Sequence, residues 1–278
     1  MSYQTKKFIV SIFLHTFLLS VALSCIFPFL WMVNVSFKTQ EQFDTDYGLE
    51  VSRTINWESY KTVLIEGQFW RFFLNSVFYT FITVVAIVII SSLAAYGFSR
   101  LDFPGKKYIF YTFLAAMMIP LPAGFVPVYV LLNKLGMINR GGYILAMTNM
   151  GLSLSIYLLK TFFDQLPRDL EDAARIDGCN KLQIWWNVGL PLVSPALAVV
   201  IIFNALTVWN EFVFAALIFT DDKFMPLQVG LMQFSERMVT QHTLIMAALT
   251  IAAFPIILLY LKMQKQFVKG LTAGAVVG

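Results

Sequence analysis

The chain has 278 residues, of which 58% are hydrophobic and only 13% are charged, and its mean hydropathy is +0.71. Typical soluble domains are about 45–50% apolar and about 25% charged, so a soluble fold would have to hide a large apolar excess in one core. The formal charge of +4 comes from bases in loops beside apolar runs rather than from a basic stripe, which excludes a nucleic-acid partner. The composition predicts a membrane protein in contact with lipid.

Six stretches lack Asp, Glu, Lys and Arg for long enough to cross a bilayer as helices, which takes about 20 residues each. They are residues 8–33, 72–98, 108–132, 141–159, 192–210 (or on to 219) and 243–261. The first is too long for the apolar core of a signal peptide, about 7–15 residues, and is interpreted as a retained anchor. The predicted fold class is an all-α membrane protein with six transmembrane helices.

The distribution of bases sets the orientation of these spans. With the N-terminus inside, the inner segments hold 12 bases and six acids, whereas the outer segments hold eight bases and ten acids. Lys134 and Arg140 lie in a short outer loop against this trend. The pattern predicts a multi-pass protein with both termini in the cytoplasm.

Two features of the sequence, the outer segment 34–71 and the prolines of the third span, each allow two interpretations. The outer segment 34–71 combines acids with Trp57, Tyr60 and Trp70, which are typical of interfacial anchors or of a docking surface for an extracytoplasmic partner. In the third span, Pro120, Pro122 and Pro127 each remove a backbone donor. They indicate either a kinked helix that lines a pathway or structural prolines of a membrane helix.

The inner segment 166–191 is predicted to form a helix, a turn and a second helix. Pro167 suits a first helical position, and acidic residues follow in the opening turns, where the helix dipole favours negative charge. Gly178 supplies the permissive backbone expected just past a helix end, and Asn180 can cap a second helix over 181–188. Ala173 and Ala174 are small enough for another surface to approach. The residues alone favour a solvated loop and a docking element equally.

The same segment resembles the EAA loop of ATP-binding-cassette importer permeases, whose pattern is Glu-Ala-Ala, three residues, Gly, nine residues, Ile-x-Leu-Pro. Here Asp172 replaces the Glu and Val188 replaces the Ile, with the spacing intact. The resemblance implies the type I ABC importer permease fold, and a coupling helix that sits in a cleft of an ATPase subunit. The residues it assigns to this EAA loop are Glu171, Asp172, Ala173, Ala174, Gly178, Leu190 and Pro191. Glu171 is a second candidate for the family's acidic contact beside the shorter Asp172.

The resemblance extends over most of the chain. Segments 75–76, 95–106 and 209–212 are similar to carbohydrate-uptake permeases, and 270–278 is similar to the tail of the maltose-transporter-type second permease, with Val277 where Lys is usual. It implies three regions: an N-terminal helix and first external loop over 1–71, a permease core over 72–265 with the EAA loop at 166–191, and a cytoplasmic tail over 266–278.

The chain has no phosphate-binding loop, because Gly105-Lys106-Lys107 lacks the upstream glycine and the hydroxyl that such a loop needs. It is therefore predicted to have no ATPase site of its own, and no catalytic residue and no bound cofactor are assigned to this chain. The resemblance implies two nucleotide-binding ATPase subunits that hold ATP and Mg, a second homologous permease chain as heterodimer partner, and an extracytoplasmic solute-binding protein. It further implies a carbohydrate substrate and a location in the bacterial cytoplasmic (inner) membrane, surrounded by lipid.

A second group of polar residues is a candidate for the translocation pathway. Its members, which lie in or beside the fourth and fifth spans, are Asn149, Asn204, Trp209, Asn210 and Glu211. Sugars bind to aromatic faces combined with amide and carboxylate groups, but an interfacial packing cluster is the competing interpretation. In the maltose-type arrangement the sugar contacts fall mainly on the partner permease.

Two other functional classes compete with the importer. An ion-coupled secondary transporter needs acids deep within the spans, and only Glu211 is near one. A membrane-embedded enzyme needs clustered His, Asp or Cys residues, and none can be assembled from this sequence. His15 and His242 have no second ligand at a metal-binding spacing, so no metal site is predicted.

Overall fold

The computed structural model describes the backbone of residues 3–52 and 55–275 and the side chains of residues 7–52, 55–120 and 122–265. Within these ranges the chain is helical and contains no β-strand. The α-helices are α1 (Tyr3–Ser36), α2 (Gln40–Asp46), α3 (Glu58–Lys61), α4 (Phe69–Arg100), α5 (Lys106–Ala116), α6 (Leu121–Lys134), α7 (Arg140–Gln165), α8 (Asp169–Ile176), α9 (Lys181–Ile184), α10 (Leu190–Leu192), α11 (Ser194–Trp209), α12 (Val213–Ile218), α13 (Leu227–Arg237) and α14 (His242–Ala275). The side chains of the predicted tail 266–278 lie outside the described residues. For Val277 the backbone lies outside them as well.

Four helices in the described part of the chain are long and apolar enough to cross a membrane. They are Lys7–Ser36, Phe69–Arg100, Arg140–Gln165 and His242–Lys265. These helices cover the first, second, fourth and sixth predicted spans. The prediction of long apolar helices at these positions is confirmed by their length and composition.

The third predicted span, residues 108–132, is not one helix. Helix α5 ends at Ala116 after 11 residues, and α6 begins at Leu121 and has 14 residues, so neither reaches the length of a straight span. Between them Pro120 is extended, with φ −63° and ψ 131°. The helix is broken here, not kinked as one of the two interpretations expected, because proline has no N–H to donate and also disfavours helical backbone at the preceding residue, Ile119.

The fifth predicted span is also shorter and more bent than expected. Helix α11 has only 16 residues, and it follows the segment Lys181–Leu192 at an angle of 80°. The chain leaves the helix at Asn210 and resumes helical backbone at Val213, so α11 does not continue to residue 219. The described residues therefore contain four long apolar helices that could each span a membrane, or five spans if this bent pair counts as one, and six spans are not confirmed.

The chain divides into two units, the first of which comprises residues 1–70 and 231–254. The segment that follows α1 in this unit is held by Asn34, whose Nδ2 donates to the carbonyls of Gly48 (3.1 Å) and Glu50 (2.9 Å). The buried ammonium of Lys38 donates to Asp46, and this hydrogen bond lowers the pKa of the Asp46 carboxyl below its usual value. The segment after α1 is thus a folded extension.

The second unit comprises residues 71–230 and 255–278, and its core lies where α4, α7, α11 and the segment 166–191 meet. We call this segment the EAA loop after the resemblance described above. The buried side chains of this core are Ile87, Ala95, Tyr96, Leu159, Phe163, Ala174, Ile184, Trp185, Val193, Ala196 and Val200. The EAA loop therefore contributes to the same core as the membrane helices.

At the other end of this unit, α4 holds the chain that precedes α13. Asn75 Nδ2 donates to the carbonyls of Lys223 (3.0 Å) and Met225 (2.9 Å), and the Ser76 hydroxyl accepts the Leu227 N–H at 2.7 Å. The Asn-Ser pair that resembles carbohydrate-uptake permeases thus satisfies backbone groups of a loop about 150 positions further along the chain.

Gly142 at the start of α7 provides a test of this fold. A Cβ at Gly142 would lie 1.9 Å from the carbonyl oxygen of Met137, which itself accepts the Asn139 N–H at 2.8 Å. Gly142→Ala is therefore expected to lower the free energy of unfolding by about 1–3 kcal/mol, as overpacking does. Thermal unfolding of the purified chain in detergent measures the loss. The control is Gly124→Ala in α6, where a Cβ meets nothing within 4 Å. Equal stability of both variants would contradict the predicted clash.

Candidate functional site

The first helix of the EAA loop, α8, starts later than predicted. It begins at Asp169 with Arg168 as its N-cap residue, so Pro167 lies outside the helix rather than at its first position. Proline restricts the residue before it, and Leu166 is extended with ψ 131°. Pro167 therefore separates α7 from α8, and the acids of the first turn still stabilise the positive end of the helix dipole.

Helix α8 has one face in the core and one face in solvent. Glu171 and Ala174 are buried, while Asp172 and Ala173 are exposed. The prediction that both alanines are open to another surface is wrong for Ala174, because it packs in the core of the second unit. Ala173 alone leaves the backbone of this turn accessible from outside.

Glu171 has partners within the chain, which corrects its assignment as a second candidate for the acidic contact. Its side chain is only 8% exposed and accepts a hydrogen bond from Arg100 Nε at 2.5 Å. Tyr96 donates its hydroxyl to the other carboxylate oxygen at 3.3 Å. Asp172 instead faces outward and pairs with Arg175 at 2.9 Å. Asp172 is the acid of this motif that faces outward.

The turn after α8 has the predicted chemistry. Gly178 has a left-handed backbone with φ +83°, its N–H donates to the Arg175 carbonyl, and the Cys179 N–H donates to the Ala174 carbonyl. Asn180 then caps α9 through a reciprocal pair of hydrogen bonds with Gln183. A Cβ at Gly178 would meet nothing within 4 Å, so the backbone conformation, and not crowding within the chain, requires glycine here.

The second predicted helix, over residues 181–188, is only partly regular. Helix α9 ends at Ile184, a π-helical turn spans Trp185–Gly189, and α10 covers Leu190–Leu192. Leu190 is half-buried and Pro191 is exposed. The predicted motif residues thus lie on one continuous segment, with Leu190 and Pro191 at its turn into α11.

Large apolar side chains extend from the EAA loop into solvent. They are Leu170, Ile176, Leu182 and Trp186, and Ile176 is 86% exposed. Several large exposed apolar side chains in one short segment are a feature of interaction sites. The sequence argument missed these residues because it followed the motif positions; the signal was a set of apolar residues in an otherwise charged loop.

The five candidate pathway residues occupy different environments. Asn149 is exposed on α7, whereas Asn204 is buried and donates to Ser155 Oγ at 3.0 Å and to the Val200 carbonyl at 2.8 Å. Trp209 is also buried, with its ring 5.8 Å from that of Phe73. Asn204 and Trp209 therefore pack within the chain rather than facing a pathway.

Glu211 acts as a helix cap. Its carboxylate accepts the backbone N–H groups of Phe214 (2.6 Å) and Ala215 (2.8 Å) at the start of α12, and the Tyr143 hydroxyl lies 3.5 Å away. Asn210 is exposed and accepts a hydrogen bond from Gln228 at 3.3 Å. Tyr143 and Ser155 are structural partners that the sequence argument missed, since nothing local pairs them with residues 49 to 68 positions away.

No group of three or more His, Cys, Asp or Glu side chains that could hold a metal ion occurs among the residues whose placement the structure describes. His15 hydrogen-bonds the Ser11 carbonyl at 2.7 Å within α1, and the His242 ring lies 5.0 Å from the Phe43 ring.

The capping role of Glu211 predicts a graded effect on stability. Glu211→Ala removes both acceptors and is expected to lower the free energy of unfolding by about 1 kcal/mol, as loss of a cap does. Glu211→Gln keeps one carbonyl acceptor and is expected to lose less. Thermal unfolding of the purified chain in detergent tests this order, with Thr220→Ala, at an exposed position after α12, as control. Equal stability of Glu211→Ala and the unaltered chain would contradict the capping role.

Comparisons with known proteins identify the family. The family model described as binding-protein-dependent transport system inner membrane component matches residues 87–273. Over 256 residues the chain is 37% identical to a putative ABC transporter permease protein of Caldicellulosiruptor sp. (strain Rt8B.4). This alignment covers 90% of this chain and 91% of that protein. It is 34% identical over 262 residues to the trehalose/maltose transport system permease protein of Thermococcus litoralis. That alignment covers 93% of this chain and 94% of the relative.

The fold agrees with this relationship. A chain in the crystal structure of a bacterial ABC transporter involved in the import of the acidic polysaccharide alginate matches with a TM-score of 0.83 at 26% identity, covering 96% of this chain and 99% of that one. The resemblance seen in the sequence is thus confirmed, and the apolar helices belong to a multi-pass membrane protein. The chain belongs to the binding-protein-dependent transport system inner membrane component family.

Proposed function

We propose that this chain is a permease subunit of an ATP-driven importer, and that its EAA loop connects the membrane helices to an ATPase subunit. The observation that carries the proposal is the two-sided geometry of α8. Its inner side packs in the core through Ala174, and its outer side presents Ala173, Asp172 and Ile176 to solvent. A helix held on one side and open on the other suits the transfer of movement from a docked partner.

The proposed partners follow from the family. Two ATPase subunits hold ATP and Mg, and closure of their dimer moves the coupling helices of this chain and of a second, homologous permease. A solute-binding protein delivers the substrate to the outer face. The bases concentrated in the inner segments support a topology with both termini in the cytoplasm. The six-span count is retained in this proposal with the third span broken at Pro120 and the fifth bent before α11.

The proposed substrate class is carbohydrate, since a similar permease is named for trehalose and maltose and the similar structure for the polysaccharide alginate. Of the candidate pathway residues, only Asn149 and Asn210 are exposed in this chain. Their small number supports the proposal that the partner permease and the binding protein, rather than this chain, supply most of the selectivity for the substrate. The ion-coupled alternative has no supporting observation, because the Glu211 carboxylate is engaged as a helix cap.

The first test is the composition of the complex. Affinity purification of this chain from its native membrane, followed by mass spectrometry, is expected to recover an ATPase, a second permease and a solute-binding protein. A secondary transporter of similar hydropathy, purified in parallel, controls for nonspecific association. Recovery of the chain as a lone homo-oligomer, under conditions that keep a known importer intact, would overturn the proposal.

The second test uses Gly178, which needs a left-handed backbone but has open space around it. Gly178→Phe adds about 1–2 kcal/mol of backbone strain and a ring on the docking side. It is expected to lower the stimulation of ATP hydrolysis by loaded binding protein at least about tenfold, a loss within the usual range of coupling free energies.

The matched control is Gly178→Asn, because Asn tolerates this backbone conformation better than other residues and adds little bulk. We expect it to keep most of the stimulation. Complex yield is measured for both variants so that only assembled importer is compared. Normal stimulation in assembled Gly178→Phe importer would remove the EAA loop from the coupling mechanism.

A further inference from the structure

A buried charge pair joins the end of α4 to the first helix of the EAA loop. Arg100 Nε donates to Glu171 Oε1 at 2.5 Å, and the two side chains are only 6% and 8% exposed. The hydroxyl of Tyr96, one turn earlier on α4, donates to Glu171 Oε2 at 3.3 Å. The pair connects residues 71 positions apart, so it fixes tertiary structure and not a local turn.

The same guanidinium group has a second partner at the end of a third helix. Arg100 Nη2 donates to the carbonyl of Leu166 at 2.7 Å, directly after the end of α7. Beside it, the Ser99 hydroxyl donates to Asp164 Oδ1 at 2.7 Å and ties α4 to α7 again. Arg100 thus holds α4, α7 and α8 together from one point.

Stability alone does not account for this arrangement. Replacing a buried ion pair by apolar side chains of similar volume is often neutral or stabilising, although removing one partner is costly. What the pair adds is a fixed orientation of α8 relative to the ends of α4 and α7, because the planar guanidinium donates in fixed directions to both of its acceptors. The nearby Asp102–Lys106 pair lacks this property: its oxygen and nitrogen are 3.4 Å apart and the Asp102 side chain is 98% exposed.

We propose that Arg100 is the positioning residue through which displacement of the coupling helix reaches α4 and α7, with Glu171 as its point of attachment on α8. This inference rests on the function proposed above. A push on the outer side of α8 would otherwise be absorbed by bending at the short connections on either side, at Pro167 and at Gly178. With Arg100 in place, α8 and the ends of both membrane helices move as one body.

The test compares variants in the complete importer, purified with its ATPases and reconstituted in lipid vesicles. Arg100→Lys keeps the charge, but an ammonium on a flexible stem cannot reproduce the fixed two-directional geometry of the guanidinium. The ratio of stimulated to basal ATP hydrolysis, with the binding protein purified in its native ligand-loaded form as the probe, is expected to fall about tenfold. The yield of assembled complex is expected to stay near that of the unaltered importer. Asp102→Asn, in the exposed pair of the next turn, is the control and keeps the ratio unchanged.

A second variant covers the case in which Arg100→Lys fails to assemble. Arg100→Met combined with Glu171→Leu removes both charges and keeps an apolar contact, so no buried charge is left without a partner. A purely structural pair predicts a normal ratio in this double variant, whereas the proposal predicts the same fall as for Arg100→Lys. A normal ratio in either assembled variant overturns the inference. If the unaltered chain itself shows no stimulation and recovers no ATPase, it is the proposed function that fails.

Discussion

The constraint on which this structure depends is that polar groups away from water must find their partners within the protein. The buried amide of Asn204 is satisfied by Ser155 and a backbone carbonyl, and Asn75 satisfies two carbonyls of a distant loop. The Glu211 carboxylate does the same for two N–H groups at the start of α12. Of the five candidate pathway residues, Asn204, Trp209 and Glu211 therefore have partners within this chain.

The same constraint explains where the helices break. A proline inside a membrane helix leaves a carbonyl without its donor, and the chain avoids this before Pro120 because α5 already ends at Ala116 and α6 begins only after the extended Pro120. Pro255, by contrast, lies within the continuous helix α14. Composition shows that both segments are apolar, but the outcome at each proline depends on neighbouring packing that composition does not contain. For this reason the sequence predicted the sites of the spans better than their continuity.

The EAA loop separates what local chemistry predicts from what it does not. The left-handed Gly178 and the Asn180 cap were predictable because each depends on residues within three or four positions. The direction of Glu171 was not predictable, since a helix turns about 100° per residue and Arg100 lies 71 positions earlier. The motif pattern singled out the segment 166–191, whereas its division into an inner and an outer side came only from the fold.

The exposed apolar side chains of the EAA loop have a consequence for the life of the protein in the cell. In the proposed importer, Ile176, Leu182 and Trp186 stay exposed until an ATPase subunit covers them. A chain made in excess of its partners therefore displays the kind of surface that chaperones and proteases recognise in unfinished proteins. Its abundance would then follow the supply of the partner subunit, and matched amounts of the subunits would result from degradation of the surplus without a dedicated regulator.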